Sequence, residues 1–545
     1  MSEPDNNSLS IKEQPSDDEA SSHGPKPVTA KPPLSSYFLV SMLCMFAAMG
    51  GFIFGYDTGT ISGYVNMPVF LEKLGSTDAN GVHYLSKVRS GLLIGIFSIG
   101  ACIGGIFLSR LGDMYGRKIG VWVGTGVYIV GVLIQVTTYN AWYQFLIGRL
   151  IGGMGVGTIA VLVPMFQSEV APQEIRGTLV SSYQLMITLG IFIGYIVCYA
   201  TNTRPDATSY KIPLSLGFVW SVILIVGLIF LPESPRYLMS KDRNEEAQKI
   251  MCWINRRDPN DPLIVETVAN VAAAIEHERN AGKAKWTEVI TGKPRVGYRL
   301  MVGVMVLALQ QLVGANYFFY FGTTIFKGIG MNNSYLASII FGAVNFGSTF
   351  FGLYFVERFG RRNVLLYGAA GMFIFFVIYA SMGAKALYPN GSDNDANVQV
   401  GKAMIFVTCG YIFCFATTWA PCAFVLVSEL FPIRTRSKGM SLGLGANWLA
   451  NFLLSFFTPF ITGAIHFYYG FVFAGCNLFA IVFVYFFVHE TKGLSLEQID
   501  QLFVSGVMPW RSSGWVAPAI VDPSTYNEEA PKDTHPNAIH DEHIV

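Results

Sequence analysis

Residues 310–321 read QQLVGANYFFYF, a cluster of amides and phenols inside an otherwise apolar run. The surrounding run, roughly residues 300–322, is long enough to cross a bilayer as a helix of about 20 residues. Amide and phenol groups are costly in hydrocarbon unless they face a partner or a wet cavity. Since they offer donors and acceptors without charge, the cluster favours a site for a neutral ligand rich in hydroxyl groups. The alternative is that these amides only join neighbouring helices.

The polar residues of this cluster do not share one face of a straight helix. At about 100° per residue, Gln310, Gly314 and Tyr317 form one stripe, whereas Gln311 and Asn316 point to opposite flanks. We expect the helix to bend at Gly314, because transporters build sites at the membrane midplane from discontinuous helices. A bend there would let all of these side chains serve one cavity.

The composition indicates a membrane protein with many spans. Of the 545 residues, 52% are hydrophobic and only 13% are charged, and the formal net charge is +1. That small charge argues against a nucleic-acid partner. The eight cysteines show no spacing typical of a zinc site or a disulfide framework, and no phosphate-binding motif of the Walker type is present. We therefore expect no metal, no cofactor and no use of ATP as the energy source.

The apolar runs predict an all-α membrane protein with twelve transmembrane helices, six on each side of a long polar loop. The predicted spans are 37–57, 90–109, 119–138, 142–164, 179–200, 213–231, 299–322, 335–355, 363–383, 402–427, 439–462 and 467–488.

These spans divide the chain into two six-helix bundles, at residues 35–231 and 299–488. Residues 1–34 contain no apolar run and are predicted to be a disordered tail. Residues 232–298 contain two amphipathic helical patterns, near 242–256 and 262–281, and are predicted to be a helical linker. Residues 489–545 form the second tail.

Basic residues predict which way the loops face. Short loops on one side carry most of the arginines and lysines, so that side is expected to be cytosolic, together with the linker and both tails. Glycosylation sequons begin at Asn332 and Asn390, in loops that this arrangement places outside. We therefore expect a multi-pass glycoprotein of the plasma membrane.

Three motifs recur in the same order in the two halves. SEVAPQEIRG at 168–177 matches SELFPIRTRS at 428–437, and PES at 232–234 matches HET at 489–491. The third pair is Asp113-x-x-Gly116-Arg117-Lys118 and Glu357-x-x-Gly360-Arg361-Arg362. These matches indicate that a six-helix unit was duplicated, and parallel repeats with the ligand at their interface are a transporter architecture.

The repeated motifs place carboxylates and arginines together at the cytosolic ends of the helices. We interpret them as ion pairs that hold one half against the other and break when the site opens inward. The alternative is ordinary topology charge with helix capping. The expected pairs are Asp113 with Arg117, Glu169 with Arg176, Glu357 with Arg361, and Glu429 with Arg434 and Arg436. Glu233 and Glu490, in the matched PES and HET segments, complete this predicted gate.

Two charges lie deeper in the predicted spans. Asp57 is in the first span and Arg149 is in the fourth, and each alone would cost several kcal/mol in the membrane. We expect them to pair. Protonation of Asp57 would break the pair and couple transport to protons, whereas a permanent structural pair would not. The residues alone leave both interpretations open.

The chain resembles the sugar porter family of the major facilitator superfamily, and within it the fungal hexose transporters, over about residues 35–505. The motifs that carry this resemblance are GRLIGGMGVG (148–157), PESPRYL (232–238), QQLVGANYFFY (310–320), VERFGRR (356–362), SELFPIRTR (428–436) and ETKGLSLEQID (490–500). His489 stands where the family usually has a proline before Glu-Thr-Lys-Gly.

The resemblance implies the major facilitator fold with two pseudo-symmetric bundles, and transport of a hexose by alternating access. Since such transport makes and breaks no bond in the substrate, we expect no enzyme activity. Glucose is the first candidate substrate, and fructose, mannose and xylose are alternative substrates. It also implies that the pyranose site is lined by Gln184, Gln310, Gln311, Asn316, Tyr320, Asn345, Asn447 and Trp448.

The mode of transport has more than one interpretation. Ile191 replaces a second glutamine found in some proton-coupled relatives, which favours facilitated diffusion. A proton-coupled hexose or xylose symporter is the alternative, with protons as a second partner. A glucose sensor that does not transport is a further alternative, although such relatives carry a much longer cytosolic tail.

Overall fold

A computed structural model describes residues 38–171, 175–281, 285–328, 334–387, 397–494 and 496–516. Within these ranges, eleven helical segments are long and apolar enough to cross a membrane. The last of them is 54 residues long and is divided at His466, whose φ is +48°, into two helices of spanning length. The described part of the chain therefore has twelve spans, as predicted. The predicted tail 1–34 and the acceptor asparagines of both sequons, Asn332 and Asn390, lie outside it.

The first six spans come before the linker. Their helices are Phe38–Tyr64, Lys87–Ile103 with a π-helical turn Gly104–Leu108 and a last segment Arg110–Tyr115, Arg117–Thr137, Trp142–Val170, Arg176–Thr201 and Thr208–Phe230. A short helix Pro68–Leu74 and a hairpin of strands Ser76–Thr77 and His83–Tyr84 connect the first two spans.

The last six spans follow the linker, and two of them are broken. Their helices are Val296–Leu312 with Ala315–Gly328, Ser334–Phe359, Arg361–Lys385, Val398–Thr417 with Trp419–Leu430, Ile433–Ile465 and Tyr469–Phe487, with a 3-10 turn at His466–Tyr468.

The segments outside the spans are also helical. The linker contains Pro235–Ser240, Asn244–Asn255, Pro262–Ala281 and Glu288–Thr291, and the segment after the last span contains Leu496–Ser505 and a 3-10 turn at Pro509–Gly514.

The seventh span breaks at Gly314, as the sequence predicts. Gly314 has a φ of +100°, which an L side chain rarely adopts. The break frees the carbonyl of Val313, which accepts hydrogen bonds from the Tyr411 hydroxyl at 2.9 Å and from Asn477 Nδ2 at 3.1 Å. The cost of interrupting a helix inside the membrane is therefore offset by two side-chain donors.

The tenth span breaks at Thr418, which the sequence analysis did not predict. Pro421 has no N–H to donate to the carbonyl of Thr417, four residues earlier, so the helical ladder is interrupted there. The break places the start of Trp419–Leu430 beside the first part of the seventh span.

Several helices extend beyond their predicted spans. The fourth reaches Val170 rather than 164, and the eleventh begins at Ile433 rather than 439. The predicted spans stop short of the charged motif SELFPIRTR, but its carboxylate, Glu429, accepts hydrogen bonds from Arg361 and Thr491, so the tenth span can include it. We call this end of the molecule, which contains Arg117 and Arg361, the motif end, and the other the opposite end.

Each half has its own apolar core, and a third apolar cluster joins the halves. In this cluster Ile61 and Tyr64 of the first span lie with Tyr320 and Phe321 of the seventh. All four residues are buried. Since the first span ends and the seventh ends on the same side, this joint lies towards the opposite end.

Candidate functional site

Gln310 ties the seventh span to two others. Its Nε2 donates to the carbonyls of Trp419 at 3.2 Å and Ala420 at 3.1 Å, where the tenth span resumes after its break. Its Oε1 accepts a hydrogen bond from Asn447 Nδ2 at 2.9 Å. Both N–H donors of this amide are therefore used by the protein, and what remains for a ligand is a lone pair on Oε1.

The break at Gly314 brings together side chains that a straight helix would hold apart. Gln311 Oε1 accepts a hydrogen bond from Asn316 Nδ2 at 2.6 Å, across the break. Gln311 Nε2 donates to Asn447 Oδ1 at 3.0 Å. The bend predicted from the sequence thus gathers these amides into one network.

Asn451 extends this network to the second part of the seventh span, and sequence analysis missed it. Its Oδ1 accepts a hydrogen bond from Asn316 Nδ2 at 3.1 Å, and its Nδ2 donates to the Tyr320 hydroxyl at 3.1 Å. The available signal was its spacing: Asn447 and Asn451 are four residues apart on one helix and so share a face.

The other three predicted binding residues lie outside this network in the described part of the chain. Gln184 is half-buried and makes no hydrogen bond with a residue that the structure describes. Asn345 is buried, and its Oδ1 has no partner there. Trp448 is 7% exposed, and its ring meets Phe54 of the first half edge-on at 5.4 Å between centroids.

The network is chemically suited to exchange partners. Its members are neutral amides and a phenol, so a ligand hydroxyl can replace one side-chain partner with another of similar strength. The orphan acceptor of Asn345 costs about 1–3 kcal/mol when buried, and a hydroxyl or a water would remove that cost. The arrangement favours a neutral polyhydroxylated ligand, with Trp448 as a flat apolar face.

Asp57 and Arg149 form the buried ion pair that the sequence predicts. Arg149 Nη1 lies 2.5 Å from Asp57 Oδ2, and Arg149 Nε donates to the carbonyl of Leu93 at 3.2 Å. The guanidinium also lies 4.5 Å from the centre of the Phe97 ring. Both charged side chains are almost fully buried, so they stabilise each other in a place where either alone would be costly.

A charge cluster at the motif end joins residues of the first half with Glu233 at the start of the linker. The Arg117 guanidinium donates to both carboxylate oxygens of Glu169 at 3.0–3.1 Å and to Asp113 at 2.8 Å. The carboxylate of Glu233 accepts from the backbone N–H groups of Arg117 and Lys118 at 3.0 and 3.3 Å. It therefore caps the start of the third span, where a negative charge is favourable.

The second half repeats this cluster at the equivalent positions. Arg361 donates to Glu429, at 2.8 Å from its Nη2, and lies 3.5 Å from Glu357. Glu490 accepts from the backbone N–H groups of Arg361 and Arg362 at 2.8 and 3.1 Å. The duplicated motifs thus fold into duplicated clusters.

None of the described ion pairs of these motifs joins the two halves in this conformation. Arg117 uses four of its five N–H donors on Gly112, Asp113 and Glu169, all in its own half. The same holds for Arg361, whose carboxylate partners all belong to the second half. Here the clusters hold each half together; the latch between the halves, which is expected to break when the site opens inward, stays a prediction.

One of the expected pairings has a different partner. Arg434 pairs with Glu288 of the linker, at 3.0 Å from its Nε, and not with Glu429. Glu169 pairs with Arg117, and its expected pairing with Arg176 stays a prediction, because the side chain of Arg176 lies outside the described part of the chain. Arg436 is half-buried on the eleventh span.

Comparison with known proteins identifies the family. Residues 43–503 match the family described as "Sugar (and other) transporter". The chain belongs to this sugar transporter family. Its fold is the major facilitator fold, and it stands among transporters rather than enzymes.

Two curated relatives of this transporter come from Saccharomyces cerevisiae. The low-affinity glucose transporter HXT3 is 53% identical over 481 residues, which cover 88% of this chain and 85% of the relative. The high-affinity hexose transporter HXT6 is 50% identical over 518 residues, which cover 95% of this chain and 91% of the relative.

Solved structures of a bacterial sugar transporter are also similar. The proton:xylose symporter XylE bound to 6-bromo-6-deoxy-D-glucose has a TM-score of 0.71 and 28% identity, over 86% of this chain and 99% of that chain. The partially occluded inward-open form of XylE from E. coli has a TM-score of 0.69 and 26% identity, over 84% and 100%.

The two halves of this sugar transporter meet through hydrogen bonds at the opposite end. The described residues provide four such bonds, all to the end of the first span or to the fifth span. They are Ser62 Oγ with Thr323 Oγ1 at 3.3 Å, Thr324 Oγ1 to Asn66 Oδ1 at 3.0 Å, Tyr335 hydroxyl to the Gly63 carbonyl at 3.1 Å, and Tyr195 hydroxyl to the Phe319 carbonyl at 2.8 Å. The site is therefore closed off on this side.

Proposed function

We propose that this chain carries hexoses, with D-glucose as the preferred substrate, across the plasma membrane by alternating access and facilitated diffusion. The observation that carries the proposal is the amide network at the broken seventh span. Gln310, Gln311 and Asn316 meet Asn447 and Asn451 of the eleventh span there. Relatives at 50–53% identity are named as glucose and hexose transporters, which supports a hexose as the substrate.

The same proposal assigns the motif end to the cytosol, together with both termini and the linker. In that orientation, the opposite end faces outward and is closed by contacts between the seventh span and the first. The conformation is then inward-facing, and the bound sugar would be released towards the motif end. Sugar arriving from outside would enter after Thr323 and Thr324 separate from Ser62 and Asn66.

Facilitated diffusion is supported by the surroundings of the Asp57–Arg149 pair. Arg149 is held by Asp57, by the Leu93 carbonyl and by the Phe97 ring, which suits a permanent structural pair. The second candidate is proton symport, favoured by the likeness to a proton:xylose symporter and by the burial of Asp57. In that case Asp57 would take up and release a proton during each cycle.

Counterflow in reconstituted vesicles tests both parts of the proposal. Vesicles that contain the full chain and are loaded with unlabelled D-glucose should take up labelled D-glucose transiently, and L-glucose should neither enter nor compete. Competition by fructose, mannose and xylose would rank the substrates. Absence of counterflow would refute transport itself.

A proton gradient separates the two modes of transport. Under facilitated diffusion, an imposed gradient should not raise the internal glucose concentration above the external one, and a protonophore should leave initial uptake unchanged. Accumulation that the protonophore abolishes would refute facilitated diffusion and establish symport.

A further inference from the structure

Two adjoining grooves lie where the linker meets the first and sixth spans. One, of about 680 Å³, is lined by Leu39, Cys252, Trp253, Arg256, Arg257 and Asp258. The other, of about 460 Å³, is lined by Phe230, Leu231, Pro232, Lys249, Ile250 and Trp253. Because Trp253 lines both, they form one surface, which we call the linker groove. It belongs to neither the amide network nor the charge clusters.

The side chains that line the linker groove combine positive charge with an aromatic ring. Lys249 and Trp253 are four residues apart and share one face of the helix Asn244–Asn255, and Arg256, just after its end, lines the same groove as Trp253. All three are exposed, and neither Lys249 nor Arg256 forms an ion pair with a residue that the structure describes.

Part of the negative charge near this face is engaged in ion pairs. Arg257 forms an ion pair with Asp261 at 2.8 Å, and Glu246 pairs with Arg243 one turn earlier in the helix. Asp258 is the one carboxylate among the lining residues, and the exposed Glu245 lies one turn before Lys249. Lys249 and Arg256 therefore keep N–H donors that a phosphate group can bind.

The groove opens at the level where the spans leave the hydrocarbon. Leu39 is the second residue of the first span, and Phe230 is the last residue of the sixth. Phe38 and Phe230 are 67% and 74% exposed beside it. Aromatic and basic side chains gather at the boundary between lipid tails and headgroups, where each can satisfy its apolar and polar parts.

We propose that the linker groove binds the headgroup of an anionic phospholipid. Lys249 and Arg256 would hold the phosphate, and Trp253 and Phe230 would contact the glycerol and the start of the acyl chains. A free phosphate ion would share the charged contacts but would leave both aromatic side chains without a role. Through this contact the lipid would anchor the linker to the membrane beside the first half.

Lipid retention by the purified full chain tests this proposal without requiring transport. The chain is mixed with lipid of phosphatidylcholine alone or with phosphatidylserine, and bound lipid is counted by native mass spectrometry. Wild type should retain phosphatidylserine in preference to phosphatidylcholine. The double variant Lys249→Gln/Arg256→Gln should bind it about fivefold more weakly for each charge removed, the equivalent of about 1 kcal/mol per basic residue near an anionic surface.

The matched control removes two exposed lysines at the opposite end, in Lys385→Gln/Lys402→Gln, and should retain phosphatidylserine as wild type does. Equal retention by both double variants would overturn the proposal. The proposal would also be overturned if millimolar inorganic phosphate displaced phosphatidylserine from the wild-type chain while the double variant still retained it. If the double variant instead exposes the acidic stretch Asp17-Asp18-Glu19 to protease, the groove holds the chain's own tail and the lipid proposal fails.

Discussion

At the scale of single residues, the amides of the site have different tasks. Gln310 spends both of its N–H donors on backbone carbonyls of the tenth span, so it fixes the position of Asn447 and offers a ligand only its oxygen. Gln311 and Asn316 bond to side chains, which can turn towards a ligand without leaving a carbonyl unpaired. The first residue shapes the site, and the other two are free to exchange partners.

Replacing Gln310 should therefore impair both binding and the shape of the site. In Gln310→Ala, the carbonyls of Trp419 and Ala420 and the Nδ2 of Asn447 each lose a partner. We expect the KM for glucose uptake to rise about ten- to a hundredfold, which corresponds to about 1–3 kcal/mol for a lost buried hydrogen-bond partner.

Initial uptake rates over a range of glucose concentrations measure this change. Gln399→Ala, an exposed glutamine at the start of the tenth span, makes the same truncation outside the site and should leave the KM unchanged. A wild-type KM in Gln310→Ala, at equal amounts of protein in the membrane, would contradict the site assignment.

The buried Asp57–Arg149 pair should contribute to stability as a unit. Asp57→Asn or Arg149→Gln alone leaves an uncompensated buried charge, and we expect each to lower the free energy of unfolding by about 3–5 kcal/mol. The double variant should lose less than the sum of the two, because it leaves no unpaired charge. Denaturant unfolding in detergent measures these changes, and strictly additive losses would show that the two residues do not interact.

At the scale of elements, the break in the seventh span depends on one glycine. A Cβ on Gly314 would lie 2.8 Å from ring atoms of Phe376 and Phe473, in a backbone conformation that L residues rarely adopt. Gly314→Ala should therefore destabilise the protein by more than about 1 kcal/mol, and it should move Gln311 away from Asn316. The midpoint temperature of thermal unfolding and the rate of glucose uptake should both fall.

Gly347 provides the matched comparison within a helix. It lies in the eighth span, its φ is ordinary, and a Cβ there would meet nothing within 4 Å. Gly347→Ala should leave stability unchanged or raise it slightly, because alanine favours the helix. If both alanine variants behave alike, the break does not depend on the positive φ of Gly314.

The segment after the last span is fastened to the second half through buried groups. His489 is 3% exposed, its Nε2 bonds to the Val507 carbonyl at 3.0 Å, and its Nδ1 has no partner among the described residues. Asp500 pairs with the buried Arg299, and the carboxylate of Glu490, beside His489, caps the ninth span. The imidazole thus sits in its neutral form between this segment and the seventh span.

The attachment of this segment should weaken in acid. Burial, together with the nearby Arg295, Arg299 and Arg362, holds the pKa of His489 below its ordinary value of 6.5. When the segment detaches, the pKa returns to 6.5, so the detached form binds the proton more tightly. The stabilisation is therefore complete above pH 6.5 and is lost as the pH falls towards the lower pKa of the attached form.

Hydrogen exchange of residues 496–505, compared above and below pH 6.5 after correction for intrinsic rates, measures this effect. His489→Gln keeps a polar side chain that does not titrate and should remove the extra acid sensitivity. Exchange protection in wild type that does not change with pH would contradict the prediction.

The sequence predicted helices and breaks best where one local rule decides. The length of the apolar runs predicted the twelve spans, and a glycine, which permits a positive φ, predicted the bend at Gly314. The pairing of Asp57 with Arg149 was also predictable, because two buried charges in one half must meet. The break at Thr418 was missed, since Pro421 is tolerated in many transmembrane helices and its effect depends on neighbouring spans.

The hydrogen-bond and ion-pair partners of the side chains were harder to predict than the helices themselves. Asn451 joins the network only because the bend turns Asn316 towards the eleventh span. The motif charges have several possible partners by sequence, and Arg117 binds Glu169, which lies 52 residues away along the chain. Such choices depend on how helices are placed in space, which periodicity does not describe.

At the scale of the whole molecule, contacts between the halves differ at the two ends. The described hydrogen bonds that join the halves lie at the opposite end, and the described ion pairs of Arg117 and Arg361 at the motif end do not cross from one half to the other. Alternating access requires the opposite end to open during each cycle. A covalent link there should therefore stop transport.

A disulfide between the halves provides that link. Asn66 and Thr324 are hydrogen-bonded at 3.0 Å between their side chains, so Asn66→Cys/Thr324→Cys should form a disulfide on oxidation. Glucose counterflow should be lost on oxidation and restored by a reductant. The control is Ser76→Cys/Tyr84→Cys, which links paired strands of one hairpin within the first half and should transport in both states. Full transport by the oxidised Asn66/Thr324 variant would refute this account of opening.

The self-contained charge clusters also affect the kinetics of the cycle. Attraction between charges across a gap weakens as dissolved ions accumulate, so a rate governed by such attraction would vary with ionic strength. The described bonds that must break when the opposite end opens join neutral groups, whereas Arg117 and Arg361 bind carboxylates of their own halves. That opening would then proceed at nearly the same speed in dilute and in concentrated salt, with its barrier set by hydroxyl contacts and apolar surface at the opposite end.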